Sequence, residues 1–189
     1  MFFEGWNETM LMTAIECQRK YGSRYLMAKA IKAGMLHKVA TGVYSDGSRY
    51  RDVELLQTRY PASAVTMLSA YYYRNLTDVI PDKCHLATER DSTKIGDRSV
   101  VQYFVPKGTG GIGVESTVLR GAQVRIFDME RLLIETVRLR TKLPADLYHE
   151  VIGNYRRRAG ELYPARIEDY LDAFPKREFL FDIIRKEVL

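Results

Sequence analysis

The sequence predicts an α+β fold, in which an N-terminal winged helix-turn-helix is followed by a domain with a small sheet and several helices. Three observations predict it. A short helix, a glycine turn, a basic helix and a strand pair follow one another between residues 13 and 44. Four strand-like segments lie between residues 84 and 127, and helical periodicity fills most of the chain beyond them. Strands followed by helices are typical of an α+β domain.

The first predicted helix begins after Thr13. Thr13 and Glu16 have the spacing of a capping box, and the helix is expected to run to Lys20, before the turn Tyr21-Gly22. Twelve residues precede Thr13, so any earlier helix is expected to be short.

The second predicted helix, Arg24–Ala33, is amphipathic. Ser23 can cap its start, and Gly34 can adopt the left-handed conformation that ends a helix. One face is apolar and is expected in the core, and it comprises Leu26, Met27, Ala30, Ile31 and Ala33. The opposite face comprises Arg24, Tyr25, Ala28, Lys29 and Lys32.

A predicted hairpin follows, with strands at 36–39 and 43–44 around Ala40-Thr41-Gly42. Between Arg19 and Lys38 there are six lysines or arginines and no acidic residue. A basic helix followed by a basic hairpin is typical of a winged helix-turn-helix that binds double-stranded DNA. The residues expected to contact DNA are Arg19, Lys20, Ser23, Arg24, Tyr25, Ala28, Lys29, Lys32, Lys38 and Thr41. The alternative is a solvated basic face on an ordinary surface helix.

The turn residues Asp46-Gly47-Ser48 predict the domain boundary, which gives domains at 1–48 and 49–189. The elements expected beyond it are helices at 51–60 and 62–76, strands at 84–87, 99–105, 114–119 and 123–127, and helices at 129–140, 145–157, 164–174 and 176–188. Arg120-Gly121 is expected to form a hairpin turn, and Asp128 to cap the helix after it. Tyr71, Tyr72 and Tyr73 resemble a stacking platform for bases, but consecutive helical residues point in different directions, which favours three separate positions.

Composition narrows the class of protein. A hydrophobic content of 46% in 189 residues supports a globular core, and a net charge of +5 is compatible with nucleic acid. Two cysteines do not indicate a disulfide scaffold, and free thiols suit a reducing cytosol. The N-terminus lacks the basic start of a secretory signal, and the chain has no apolar run long enough to span a membrane. We therefore expect a cytoplasmic protein.

Catalytic and cofactor motifs are weak in this sequence. The loop Lys107–Gly113 is rich in glycine but lacks P-loop spacing, so we interpret it as a mobile hairpin or a connector. The three histidines have no metal-binding spacing, and neither a metal nor a cofactor is expected. A nuclease-like carboxylate cluster of Glu115, Asp128 and Glu130 is an alternative, although Asp128 and Glu130 are better explained as a helix cap and a first-turn charge.

The C-terminal half also carries many cations. A second basic surface for DNA, RNA or an acidic partner and an ordinary mixed surface are equally compatible with them. The cations concerned are Arg120, Arg125, Arg131, Arg138, Arg140, Lys142, Arg156, Arg157 and Arg158.

Three segments together resemble the AbiEi family of antitoxins, which belong to bacterial abortive-infection type IV toxin–antitoxin pairs. They are TAIECQRKYGSRYLMAKAIKAGMLHKVATGVY, RYPASAVTMLSAYYYRNLTDVIPDKCHLATERD and GIGVESTVLRGAQVRIFDMERLLIETVRLRTKLPADLYHEVIGNY. They run over most of residues 13–155. The most distinctive pieces are Gly42-Val43-Tyr44 and the segment Phe127–Arg131.

The resemblance implies a function for each domain. The N-terminal domain would bind inverted repeats in its own promoter and repress the operon, with Arg24–Ala33 as the DNA-reading helix and Leu36–Tyr44 as the wing. The C-terminal domain would neutralise a nucleotidyltransferase-type toxin, without need of a stable complex. Our leading hypothesis is therefore an autorepressor and antitoxin without catalytic activity. A stand-alone transcription regulator with a ligand-sensing or dimerising C-terminal domain is the alternative.

Overall fold

The computed structural model describes residues 10–48, 50–119 and 121–189. The chain is α+β, and its contacts divide it into two compact units, Met1–Pro61 and Ala62–Leu189. The division falls later than the expected turn at Asp46-Gly47-Ser48, because the next helix packs on strands of the N-terminal unit. Any helix before Thr13 would fall almost wholly at residues 1–9, which lie outside the described residues.

The N-terminal unit contains three strands and three helices in its described part. In chain order these are β1 (Leu11–Thr13), α1 (Ala14–Tyr21), α2 (Arg24–Lys32), β2 (His37–Ala40), β3 (Val43–Ser45) and α3 (Asp52–Arg59). The strands form an antiparallel sheet in the order β1-β3-β2. α3 packs against β1 and β3.

The helix starts follow the local sequence. The Thr13 hydroxyl accepts a bond from the Glu16 N–H, and the Glu16 carboxylate accepts the Thr13 N–H at 2.7 Å, so the expected capping box is confirmed. The Ser23 hydroxyl accepts the Leu26 N–H at 3.2 Å and caps α2, also as expected. Gly22, with φ 83°, makes the turn between the two helices.

The core of this unit buries fewer residues of α2 than the apolar face of that helix predicts. Its buried members are Met12, Cys17, Met27, Ala30 and Leu36. The expected burial of the rest of the arc was wrong, since Leu26, Ile31 and Ala33 are exposed. Met27 and Ala30 belong to this core, and the described residues leave the flanks of the arc exposed.

The C-terminal unit begins with a two-residue strand. Its elements are β4 (Ala64–Val65), α4 (Met67–Tyr73), β5 (Cys84–Glu89), β6 (Val100–Val105), β7 (Val114–Leu119), β8 (Ala122–Phe127), α5 (Met129–Arg138), α6 (Ala145–Arg157), α7 (Pro164–Leu171) and α8 (Arg177–Glu187), with short 3-10 turns at Arg140–Lys142 and Ala159–Glu161. The sheet order is β6-β5-β4-β8-β7. Strand β4 pairs antiparallel with β5 and parallel with β8, β5 pairs parallel with β6, and β7 pairs antiparallel with β8.

The continuous helix expected at 62–76 was wrong. Ala64 and Val65 pair with strands on both sides, and this tertiary pairing overrides the local helical pattern. The tyrosines that follow do not form one stacking surface, but they are not three separate positions either, because the rings of Tyr72 and Tyr73 meet edge to face with their centres 5.8 Å apart. Tyr71 is buried with its hydroxyl 2.8 Å from that of Thr136, whereas Tyr72 and Tyr73 are half-buried.

Helix α5 is the centre of the C-terminal unit. Leu132, Leu133, Ile134 and Val137 are fully buried, and α4, α7 and α8 all pack against this helix. Asp128 caps it as expected, by accepting the Arg131 N–H at 2.8 Å. Within the described residues, none of the helices has the length and apolarity needed to cross a membrane.

Candidate nucleic-acid interface

Helix α2 presents the solvent face that its periodicity predicts. Its five expected members, Arg24, Tyr25, Ala28, Lys29 and Lys32, are all exposed. The helix has no acidic residue in its first turn, and Lys29 and Lys32 lie in its last turn. The cations sit on a capped, regular helix, so their spacing is set by the backbone.

Helix α1 and the hairpin adjoin this helix. Arg19 on α1, and Lys38 and Thr41 on the hairpin, are exposed. The N–H of Ala14 donates to the carbonyl of Gly42 at 3.0 Å, which ties the hairpin turn to the start of α1. Ser23, also expected at the interface, is half-buried and its hydroxyl is already used as the cap of α2.

Lys20 is not a free cation. Its ammonium forms an ion pair with Asp46 at 3.0 Å, and the same carboxylate accepts the N–H of Met10 at 2.7 Å. The hydrogen bond to Asp46 raises the pKa of Lys20. Burial raises the pKa of Asp46, but the bonds from Met10 and Lys20 outweigh this and lower it overall. The sequence reasoning missed Asp46, because nothing in the sequence pairs it with a residue on α1.

A shallow apolar groove lies between α1 and α2. On the α1 side it is lined by Ala14, Ile15 and Gln18, and on the α2 side by Arg24, Met27, Ala28 and Ile31, with Tyr44 beside them. Ile15 is 66% exposed and Ile31 is 39% exposed. Sequence reasoning missed this groove, because it assigned Ile31 to the core.

The C-terminal arginines are largely occupied by contacts within their own unit. Arg131, expected on the surface, is completely buried, and its guanidinium lies 4.5 Å and 4.6 Å from the ring centres of Phe127 and Phe174. Burial lowers its pKa. Arg138 pairs with Glu135, and Arg158 pairs with Glu161. The guanidinium of Arg140 lies over the ring of Phe179. Arg156 donates a hydrogen bond to the backbone carbonyl of Glu187, and Arg157 donates one to the side chain of Asn154. Arg120 lies outside the described residues.

The glycine-rich loop is held by Arg131. The guanidinium donates to the carbonyl of Thr109 at 2.7 Å and to that of Ile112 at 3.2 Å. Gly113 has φ 64°, and a Cβ there would lie 2.4 Å from the Cβ of Arg131. The loop connects β6 and β7, as the interpretation from its spacing expected, but it packs tightly on α5, which disagrees with the expected mobility.

The three candidate carboxylates do not converge on one site. Glu115 pairs with Arg74 at 2.6 Å. Asp128 caps α5 and accepts the hydroxyl of Tyr170 at 2.7 Å, and burial raises its pKa despite these bonds. Glu130 is buried and accepts the N–H of Tyr163 at 3.0 Å. Each carboxylate has a structural partner.

In the part of the chain that the structure describes, no three His, Cys, Asp or Glu side chains lie close enough together to hold a metal ion. His85 stacks on Tyr103 with ring centres 5.5 Å apart, and burial lowers the pKa of His85 to about 4. His85 is a half-buried residue of β5.

The architecture has a counterpart among solved structures. The chain is similar to the RV2827C protein from Mycobacterium tuberculosis, with a TM-score of 0.60 over 92% of this chain and 71% of that one. The identity is 12%, so the similarity is one of fold. No protein-family model and no curated protein matches the sequence.

Proposed function

We propose that this chain is a DNA-binding repressor of its own operon and the antitoxin of a type IV toxin–antitoxin pair. The observation that carries the DNA-binding part is the solvent face of α2. Its three cations are exposed on a capped helix that follows α1 across a glycine turn and precedes the hairpin β2–β3. This order of elements supports a winged helix-turn-helix, with α2 as the recognition helix and the hairpin as the wing.

The side chains on this face divide between two tasks. Lys29 and Lys32 neutralise phosphates and release counterions, which makes the affinity for DNA depend on salt. Arg24, at the start of α2, reaches a guanine edge in the major groove, where its guanidinium can donate two bonds. Lys38 and Thr41 on the wing contact the backbone of the duplex.

The antitoxin part of the proposal is supported by the resemblance of residues 13–155 to AbiEi antitoxins. The C-terminal unit neutralises a nucleotidyltransferase-type toxin, and no stable complex between the two proteins is required. We propose no catalytic activity for the chain, because Glu115, Asp128 and Glu130 are committed to separate structural bonds.

The experiment that tests DNA binding compares the chain's own promoter with scrambled DNA across a salt series. The wild type is expected to prefer the promoter. Lys29→Ala and Lys32→Ala should each reduce the slope of log K against log salt by about 0.9, the value of one phosphate contact. Lys94→Ala, an exposed lysine of the C-terminal unit, is the matched control. An unchanged slope in both α2 variants would show that these lysines do not contact phosphate.

Co-expression with the cognate toxin tests the second activity. Restored growth is expected if the chain is an antitoxin. Promoter binding without any rescue would instead favour the stand-alone regulator, whose C-terminal domain senses a ligand or dimerises.

A further inference from the structure

The solvent face of α2 is apolar at its centre. The ring of Tyr25 is 77% exposed, and the methyl group of Ala28 is exposed one turn further along. Arg24 and Lys29 flank these two residues, and Lys32 follows in the next turn. Cations therefore flank an apolar patch, which we define as Tyr25 and Ala28, and Ala28 also borders the groove between α1 and α2.

This arrangement matches the way a helix meets the major groove. An α-helix with its side chains is about 10–12 Å across, and the major groove is about 12 Å wide. The side chains of Lys29 and Lys32 reach outward to the phosphates, Arg24 reaches the guanine edge proposed above, and the centre of the face meets the neighbouring base edges. A short side chain such as alanine permits close approach of the helix backbone to those edges.

We infer that the apolar patch recognises thymine through its C5 methyl group. The inference rests on the proposed DNA binding and adds the class of base that the site selects. Thymine is the base that presents a methyl group in the major groove, and apolar side chains contact it there. Tyr25 supplies a broad apolar ring beside it, and such rings contribute large contact areas.

The flanking charges are what favour DNA over an apolar protein partner. A protein that docked on Tyr25 and Ala28 would also bury Arg24 and Lys29, and buried cations are costly unless each meets an acidic partner. The phosphates of duplex DNA provide such anions on both sides of the groove.

The test replaces single thymines of the promoter duplex with deoxyuridine, which removes only the C5 methyl group. At contacted positions the wild type should lose affinity by about fourfold per methyl, which is about 0.8 kcal/mol converted at 1.4 kcal/mol per tenfold. In Ala28→Gly and in Tyr25→Gln, replacing thymine with deoxyuridine should no longer reduce the affinity at one or more of these positions. Ala33→Gly makes the same change as Ala28→Gly at the exposed C-cap of α2, outside the patch, and every loss of affinity on replacing thymine should persist in it.

The outcomes separate this inference from the proposed function. Promoter preference without any uracil-sensitive position would overturn thymine recognition and leave the repressor proposal standing. Penalties that persist in both Ala28→Gly and Tyr25→Gln would place the methyl contacts elsewhere and also overturn it. Equal affinity for promoter and scrambled DNA would refute the repressor proposal itself. Circular dichroism of each variant identifies any loss of helix, and Tyr25→Gln provides the result if Ala28→Gly does not fold.

Discussion

Two arginines of this chain lie in opposite environments. Arg24 is exposed at the start of α2, whereas Arg131 is fully buried between two phenylalanine rings. The guanidinium of Arg131 pairs with Glu135 at 2.9 Å and donates to two loop carbonyls. Removing one partner of a buried ion pair costs far more than removing a surface pair, because the remaining charge is left in a medium of low polarity.

The first prediction concerns Arg131. Arg131→Met should lower the free energy of unfolding by roughly 3–5 kcal/mol, since it leaves Glu135 with less compensation and two carbonyls without their donor. Arg177→Met is the control, because Arg177 forms an exposed pair with Asp172 at 2.7 Å and should contribute less than about 1 kcal/mol. Urea unfolding of both variants measures the difference. Similar losses in both would show that the buried pair adds nothing beyond a surface pair.

The second prediction concerns Lys20, whose ammonium is held by Asp46. Asp46→Asn removes a negative charge beside the proposed DNA interface and frees Lys20, while the amide oxygen can still accept the Met10 N–H. Binding to promoter DNA should tighten, and the salt slope should steepen by about 0.9 if Lys20 gains one phosphate. Asp52→Asn makes the same charge change on α3 and should leave the slope unchanged. A slope in Asp46→Asn equal to that of the wild type would show that Lys20 does not reach the DNA.

At the scale of the element, the start of α1 combines a cap with a titrating group. The Glu16 carboxylate accepts both the N–H and the hydroxyl of Thr13, at 2.7 Å and 2.8 Å. These two bonds lower the pKa of Glu16 from its ordinary value of 4.5. A carboxylate whose folded pKa is lowered stabilises the fold above its unfolded pKa, and that stabilisation is lost as pH falls through the folded value.

The lowered pKa of Glu16 predicts that the fold loses stability in acid. Stability of the wild type should decline as pH falls below about 4.5, and Glu16→Gln should remove part of that decline while lowering stability near neutral pH. Glu150→Gln, on the exposed face of α6, should retain the decline of the wild type. Urea unfolding at a series of pH values, monitored by circular dichroism, measures both. Identical pH profiles for the wild type and Glu16→Gln would contradict the role assigned to the capping box.

At the scale of the whole molecule, the chain is two compact units, each with its own sheet. The candidate DNA contacts all belong to the N-terminal unit. The buried ion pair and the connector that it holds belong to the C-terminal unit. If neutralisation belongs to the C-terminal unit, as proposed, the two activities draw on different sets of residues.

The fourth prediction is that the two activities can be separated by mutation. Arg24→Ala combined with Lys29→Ala should abolish repression of a promoter reporter and leave rescue from the toxin intact. Lys94→Ala combined with Lys83→Ala, which removes two exposed lysines of the C-terminal unit, is the control and should retain repression. Loss of toxin rescue in the α2 double variant, with its helical content preserved, would show that neutralisation depends on DNA binding.

The sequence by itself determined the starts of several helices and the solvent face of α2. Thr13, Ser23 and Asp128 each supply a side-chain oxygen within a turn of the N–H that it caps, so these helix starts depend on neighbouring residues alone. The hairpins and the exposed cations of α2 follow equally local rules of turn and periodicity. These features could be predicted because each bond joins residues close in sequence.

Only the tertiary structure decided which side chains of each helix and strand are buried and which charged groups form ion pairs. It placed Ala64 and Val65 between two strands and left Ile31 exposed to solvent. It also buried Arg131 against Phe174 and paired Lys20 with Asp46, 26 residues away in sequence. Burial and pairing of this kind depend on which distant segment comes to lie alongside a residue. No periodicity within one helix or strand contains that information, which is why the buried arginine and the occupied lysine emerged only from the fold.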